Sequence, residues 1–424
     1  MSLYIKNARF IDWQSFEITQ THICVEPGKT GGICLTDDLP ESTAEGSKVV
    51  DAQGRWVTKS FACGHHHIYS TLARGMPAPA KTPVNFVEIL KYIWWNLDKN
   101  LDFEMIKASA LASAVYCAKN GVTFVIDHHA SPFAVENSLF AIKEAFDSIG
   151  LSHLLCYEIS DRDGKAVREA GLAETKNYLT AGNPGHVGLH ASFTVGDELL
   201  GKAVQLARDY DTGLHMHVAE DRADQADCEK KYGKRVVQRL ADAGALDLRG
   251  SILGHCLHLD ENEIHRIKNS SAWVVQNVES NLNNNVGLTD YSAYGDRIML
   301  GTDGMHSDML RSAKASFLLG QQTEQISFPG IYDRFRKVHT YIAENGFQGD
   351  TDNNLVILDY NPPTDVTRDN FLGHFVYGLD SAHVSTVISG GQVIVEERQL
   401  VSANETDIME FAREMGNRLW RKLA

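Results

Sequence analysis

The residues best suited to chemistry are histidines and carboxylates at the ends of short apolar runs. In VTKSFACGHHH (57–67), His65 and His67 stand two apart. At a strand end two such side chains face the same way, so both imidazoles can grip one cation about 2.0–2.1 Å away, while His66 faces elsewhere. Alone, this H-x-H is equally a polar strand end. HMHVAE (215–220) adds His217 and Glu220, a neutral imidazole for a metal beside a carboxylate that can handle protons. A bound divalent cation brings the pKa of water down toward ~7, which makes hydroxide available at neutral pH. His255 in SILGHCLHL and Asp303 in LGTDG complete the set. Each taken singly is more often structural than chemical, and what argues for a site is their common placement.

That placement depends on repeated strand–helix units. Eight β-branched or apolar runs lie at 57–67, 122–129, 151–160, 186–195, 212–220, 250–259, 272–281 and 296–304. Amphipathic stretches such as 102–121 and 197–213 separate them, as parallel strands require. The expected fold is α/β, a (β/α)8 TIM barrel over 57–349 whose strand ends share one face, the face that carries chemistry in such barrels. Segments 1–56 and 350–403 read as a small β-sandwich domain assembled from both chain ends, the Gly390-Gly391 pair marking a hairpin. Residues 404–424 read as a C-terminal amphipathic helix, acids early and bases late.

Composition narrows the partners. The 424 residues carry a formal charge of −15, which disfavours nucleic acid and anionic membrane surfaces and suits a small neutral or cationic substrate. Seven cysteines without a C-x-x-C pair suggest reduced thiols in the cytoplasm. MSLYIKNARFIDWQ has no leader pattern, and no run of ~18 apolar residues suggests a membrane span.

With H-x-H in run one, H-x-x-E in run five, His in run six and G-T-D-G in run eight, the chain resembles the amidohydrolase superfamily. It is most similar to the cytosine, guanine and s-triazine deaminase branch, and HHHIYSTLARGM, HASFTVGDELL, ESNLNNNVG and GTDGMHSDML resemble SsnA-type aminohydrolases most closely. The resemblance covers nearly the whole chain. It implies His65, His67, His217 and Asp303 as ligands of one divalent metal, zinc first, with iron or manganese as alternatives. It also implies that Asp303 deprotonates the water, Glu220 shuttles a proton to a ring nitrogen, and His255 hydrogen-bonds substrate or nucleophile. Binuclear relatives carry a bridging lysine on strand four, and HVGLHASFTV has none. The chain departs from the family pattern at Lys59-Ser60, where Pro-Gly is usual, and at QGDTDNN (348–354). Assembly into a homo-oligomer is left open.

Substrate contacts are expected from His190, Asn281 and His128 at other run ends, and from Trp95. The stretch 85–102 places Phe86, Ile89, Leu90, Ile93, Trp94 and Leu97 at helical spacing, with Trp95 one step round. It is read as a packed helix that could also act as a lid with an aromatic face for a planar heterocycle. The favoured activity is hydrolytic deamination of a purine, pyrimidine or triazine. Cleavage of a cyclic or linear amide of hydantoin type on the same site is the alternative, followed by a non-catalytic scaffold and, last, a nucleic-acid base deaminase.

Overall fold

The computed structural model describes residues 3–38 and 47–423. Its N-terminal strands are β1 (Leu3–Ile11), β2 (Ile18–Val25), β3 (Ile33–Thr36), β4 (Lys48–Asp51) and β5 (Trp56–Lys59). Next come β6 (Phe61–His66), β7 (Val122–His129), β8 (Ser152–Tyr157), β9 (Val187–Ala191), β10 (Leu214–Val218), β11 (Ile252–His255), β12 (Trp273–Gln276) and β13 (Ile298–Leu300). The chain ends with β14 (Leu355–Leu358), β15 (Val384–Ser389), β16 (Gln392–Glu396), β17 (Gln399–Leu400) and a helix over Glu405–Leu423.

β6 to β8 form one parallel sheet and β9 to β13 another. Parallel bridges Ile159 to Leu189 and His66 to Asp303 join the two sheets at both of their ends. The pairing therefore runs from β6 through β13 and back to β6. Both faces of these strands are covered, which is why VTFVIDHH reads as an unbroken run and is buried throughout. Between strands the chain turns into helices at legible signals. Asp102 caps Phe103–Lys119 by accepting from the Met105 N–H, and Gly121 follows with a φ of 80°.

Inside the cycle, Ala62, Phe124, Leu154, Ile252, Trp273 and Met299 pack against Val338, Tyr341 and Ile342 of the helix Phe328–Glu344. One end is thus closed by an apolar plug, and the polar strand termini gather at the other. Gly301 is needed just past β13. A Cβ there would lie 2.8 Å from the His65 Cβ and 2.4 Å from the Asn277 Oδ1, so only glycine lets this backbone pass so close.

Both chain ends share a single nine-stranded sheet in the order β17-β16-β15-β14-β5-β1-β2-β3, with β4 on β1. Ile5, Phe10, Ile23, Val57, Leu355, Ile357 and Ile388 give it a core of its own. The expected hairpin forms, with Gly390 and Gly391 both left-handed at φ 55° and 75°, the conformation a two-residue β-turn demands. The run 57–67 is a correction. It is not one strand, because β5 pairs with β1 and β14 in the nine-stranded sheet, and only after Ser60 does β6 join β7.

The two departures from the family pattern meet where the sheets part. Lys59 Nζ lies 3.1 Å from Asp350 and donates to the Thr351 carbonyl at 2.9 Å, and His339 Nδ1 lies 2.6 Å from the same carboxylate. Burial opposes ionisation of Asp350, but His339 and Lys59 hold its pKa well below the usual carboxylate range.

Candidate active site

At the polar end of the cycle, His65 is the penultimate residue of β6 and His67 follows the strand, His217 lies on β10, His255 ends β11, and Asp303 follows β13. All are buried. His67 Nε2 lies 3.1 Å from Asp303 Oδ1 and 3.1 Å from His217 Nε2, and His65 Nε2 lies 3.4 Å from Asp303 Oδ1. His67 Nδ1 donates to the His128 carbonyl at 2.6 Å, and His217 Nδ1 donates to the His190 carbonyl at 3.1 Å. Each ring therefore turns its Nε2 toward the same point, an arrangement that needs a positive charge between the nitrogens. The electrostatics show the same demand. Burial alone would lower His67, yet Asp303 raises it to about 9, so without a cation a proton supplies the charge. Burial drives His65 down to about 3, and its buried Nε2 has no hydrogen-bond partner among the described residues. The donor set fits one divalent metal held by three imidazoles and a carboxylate.

His255 also approaches this centre, but its Nε2 lies between two carboxylates, 3.6 Å from Glu220 and 3.7 Å from Asp303. With His65, His217 and Asp303 it forms a group whose donor atoms all lie within 4.8 Å of one another, so it stands within reach of the same centre. Burial raises Glu220 to about 7, with His255 opposing and Asp303 adding to the shift. Burial acts on Asp303 in the same direction, but His65 and His67 hold it well below its usual value. Two carboxylates with separated proton affinities thus face one spot, a pairing suited to acid–base work.

The backbone is bent to bring these groups in. Ala219, His255, Cys256 and Asp303 are non-glycine residues with φ of 48°, 66°, 54° and 52°. Such conformations cost roughly 1–3 kcal/mol each and persist where the surroundings hold them. Here the Tyr291 and Tyr294 hydroxyls donate to the His255 and Cys256 carbonyls, both at 2.6 Å, while the Thr302 and Asp303 N–H groups both donate to the His65 carbonyl at 3.0 Å.

A cavity opens over the centre. His190 and Trp95 line it, as the sequence suggests, together with His67, His217, Glu220, His255 and Asp303. His128 and Asn281 do not. His128 lies beneath the ligands, its Nε2 3.1 and 3.2 Å from the Leu189 and His215 carbonyls. Asn281 is not at a strand end but in the helix Val278–Asn283, where its Oδ1 accepts from His255 Nδ1 at 2.7 Å. That helix turns Ser280, Asn283 and Asn284 to the cavity in its place, and Asn284 Nδ2 donates to Glu220 at 3.4 Å.

The stretch 85–102 is not a regular helix. Between Phe86–Ile89 and Trp95–Asn100 lies a π turn, Leu90–Trp94, with the Trp95 N–H donating to the Leu90 carbonyl. The extra residue in this turn shifts the register, and Phe86, Leu90, Trp94 and Trp95 all reach the cavity. Arg162 sits 5.2 Å over the Trp95 ring and pairs with Asp98 of the same stretch, and both Arg162 and Glu158 line the wall. In the sequence Glu158 stands out only as one of the polar run ends, and Arg162 and His215 not at all. The DRD run at 161–163 and the second H-x-H, His215-x-His217, were the available signals.

The amidohydrolase family model matches residues 56–327. A 5-methylthioadenosine/S-adenosylhomocysteine deaminase from Syntrophomonas wolfei is 25% identical over 412 residues, 91% of each chain. A 5'-deoxyadenosine deaminase from Methanopyrus kandleri is 27% identical over 382 residues, 84% of each chain. Among solved structures, an adenosine deaminase from Xanthomonas campestris with bound zinc superposes with a TM-score of 0.84 over 98% of both chains at 17% identity. Atrazine chlorohydrolase from Arthrobacter aurescens complexed with zinc gives 0.79 at 16% identity, over 98% of this chain and 100% of that one. At such identities these structures speak to the fold.

Proposed function

The chain belongs to the amidohydrolase family, and from that premise we propose that it deaminates an amino-substituted aromatic N-heterocycle by metal-assisted hydrolysis, with an adenosine-type purine as the first substrate class to try. The observation that carries this reading is the convergence of His65, His67, His217 and Asp303 on one point, with Glu220 and His255 beside it at the floor of an aromatic-walled cavity. The names of the relatives favour purines over pyrimidines and triazines.

In this reading the cycle of parallel strands from β6 to β13 is a (β/α)8 TIM barrel. The single sheet shared by both chain ends, β5 included, is folded around its own core as a β-sandwich domain, with 404–424 as an appended helix. The free cysteines and the absence of a membrane-spanning helix among the described residues are compatible with a cytoplasmic protein.

His65, His67, His217 and Asp303 would hold the metal, with zinc preferred for a site of nitrogen and oxygen donors and iron or manganese as alternatives. When bound, it supplies the Lewis acidity that makes water nucleophilic at neutral pH. Asp303 orients the attacking water and takes its proton. Glu220 carries a proton to the ring nitrogen beside the reacting carbon. His255, fixed by Asn281, hydrogen-bonds the oxygen that adds there. The proton held by Asp303 then passes to the amino nitrogen, the C–N bond breaks, ammonia leaves, and the oxygen, its other proton having gone through Glu220 to the ring nitrogen, remains as a carbonyl. Trp95 and Trp94 offer faces to the heterocycle, and His190 offers a ring nitrogen to its edge.

The test is ammonia release by zinc-loaded protein over adenosine-type purines, aminopyrimidines, aminotriazines and hydantoins. Ammonia from at least one amino-heterocycle is expected. Opening of hydantoin rings with no ammonia from any amino-heterocycle would replace deamination by amide hydrolysis on the same site.

A further inference from the structure

Three histidines turn an Nε2 toward the proposed metal, and two of them have Nδ1 satisfied by main-chain carbonyls, which no substitution removes. His65 differs. Its Nδ1 lies 2.8 Å from His215 Nε2, a side chain of β10. His215 stands two residues before His217, so both point into the barrel from one face of the strand, His215 one layer deeper. It is 1% exposed, it does not line the cavity, and its Nδ1 has no partner among the described residues.

Only one proton can lie between His65 Nδ1 and His215 Nε2. If it belongs to His215, the proton of a neutral His65 sits on Nε2 and blocks the lone pair a metal needs. If it belongs to His65, Nε2 is bare, and His215 must accept at Nε2 and leave its own N–H at Nδ1, buried and unpaired. We propose that His215 is a positioning residue for the metal centre, an obligate acceptor at Nε2 that fixes His65 in the ligating tautomer and holds its ring. The unpaired Nδ1–H is the cost of that arrangement. The inference rests on the assignment of His65 as a ligand.

The experiment is zinc affinity of metal-stripped protein, read by competition with a chromophoric chelator, together with the melting temperature of the stripped protein. Glutamine can present its Oε1 near the position of the imidazole Nε2, whereas asparagine is too short and leucine cannot accept. H215L and H215N should bind zinc on the order of 10–100-fold more weakly, the usual loss for an outer partner of a ligand histidine. H215Q should stay within a few-fold of the original protein, and stripped H215Q and H215N should melt alike. Equal affinity across all the variants, or H215Q falling as far as H215N, would overturn the proposal. If H215L does not fold, the glutamine–asparagine contrast still decides. Failure of the unsubstituted protein and H65A to differ in zinc affinity would instead strike the ligand assignment itself.

Discussion

Glu220 shows how one side chain can be tuned for chemistry at the expense of stability. Its pKa is raised from 4.5 to about 7, chiefly by burial. The native state therefore binds a proton more tightly than the unfolded chain does. Above pH 4.5 the unfolded chain releases that proton while the fold retains it or pays to lose it, so Glu220 costs stability at neutral pH. E220Q is expected to stabilise the metal-free protein by on the order of 2 kcal/mol at pH 7, following the conversion of pKa shift to free energy. The same variant should lower kcat by roughly 10²–10⁴-fold, the span of a lost proton-transfer group. Denaturant unfolding and ammonia release measure the two effects, and a variant both unstable and fully active would refute the assignment. Because Glu220 must be ionised to receive a proton and pass it on, kcat/KM should fall as pH drops below its pKa. A bound cation moves that inflection below the value of about 7 found without one. The residues with chemistry in their type were legible in the sequence at this scale. His215 was not, and Glu158 was visible only as a run-end carboxylate, because a partner's role depends on which lone pair faces what, and residue type does not carry that.

The elements show where periodicity stops being informative. The apolar spacing over 86–97 predicts one helix, but the π turn at Leu90–Trp94 has the same composition as an ordinary turn and is recognisable only from its hydrogen bonds. Asn281 follows β12 closely in sequence, yet two residues after Gln276 the chain is already helical, which turns Asn281 away from the cavity. At the junction of β5 and β6 no Gly or Pro marks the crossing between sheets. Lys59 and Ser60 stand there instead, and the buried Lys59–Asp350–His339 cluster explains why QGDTDNN departs from the family pattern along with them. Removing one side of a buried ion pair leaves the other charge uncompensated, at a cost of roughly 3–5 kcal/mol. D350N should lose about that much in denaturant unfolding, and K59M/D350L should recover most of it. A loss under about 1 kcal/mol for D350N would mean that water reaches the junction.

Across the whole molecule, the largest core reaches the metal site through Ile68, Tyr69, Val218 and Cys256, while two smaller cores do not. The plug around Trp273 and Tyr341 and the core of the nine-stranded sheet contain none of the proposed ligands. Chelation should therefore abolish ammonia release while far-UV circular dichroism stays native. Zinc at 100 times its dissociation constant should add about 2.7 kcal/mol by mass action, seen as a melting temperature higher by a few degrees. Collapse of the fold on chelation would show that the ion is structural. The βα alternation and the terminal hairpin made most of this architecture legible. The shared sheet has a consequence in time. β5 is translated early but lies between β1 and β14, so one of its edges has no neighbour until the roughly 300 residues from Lys59 to Leu355 have been made. At about 5–20 residues per second a ribosome needs some 15–60 s for that stretch. The nascent chain must spend this interval with an open strand edge, an obvious hold point for a chaperone.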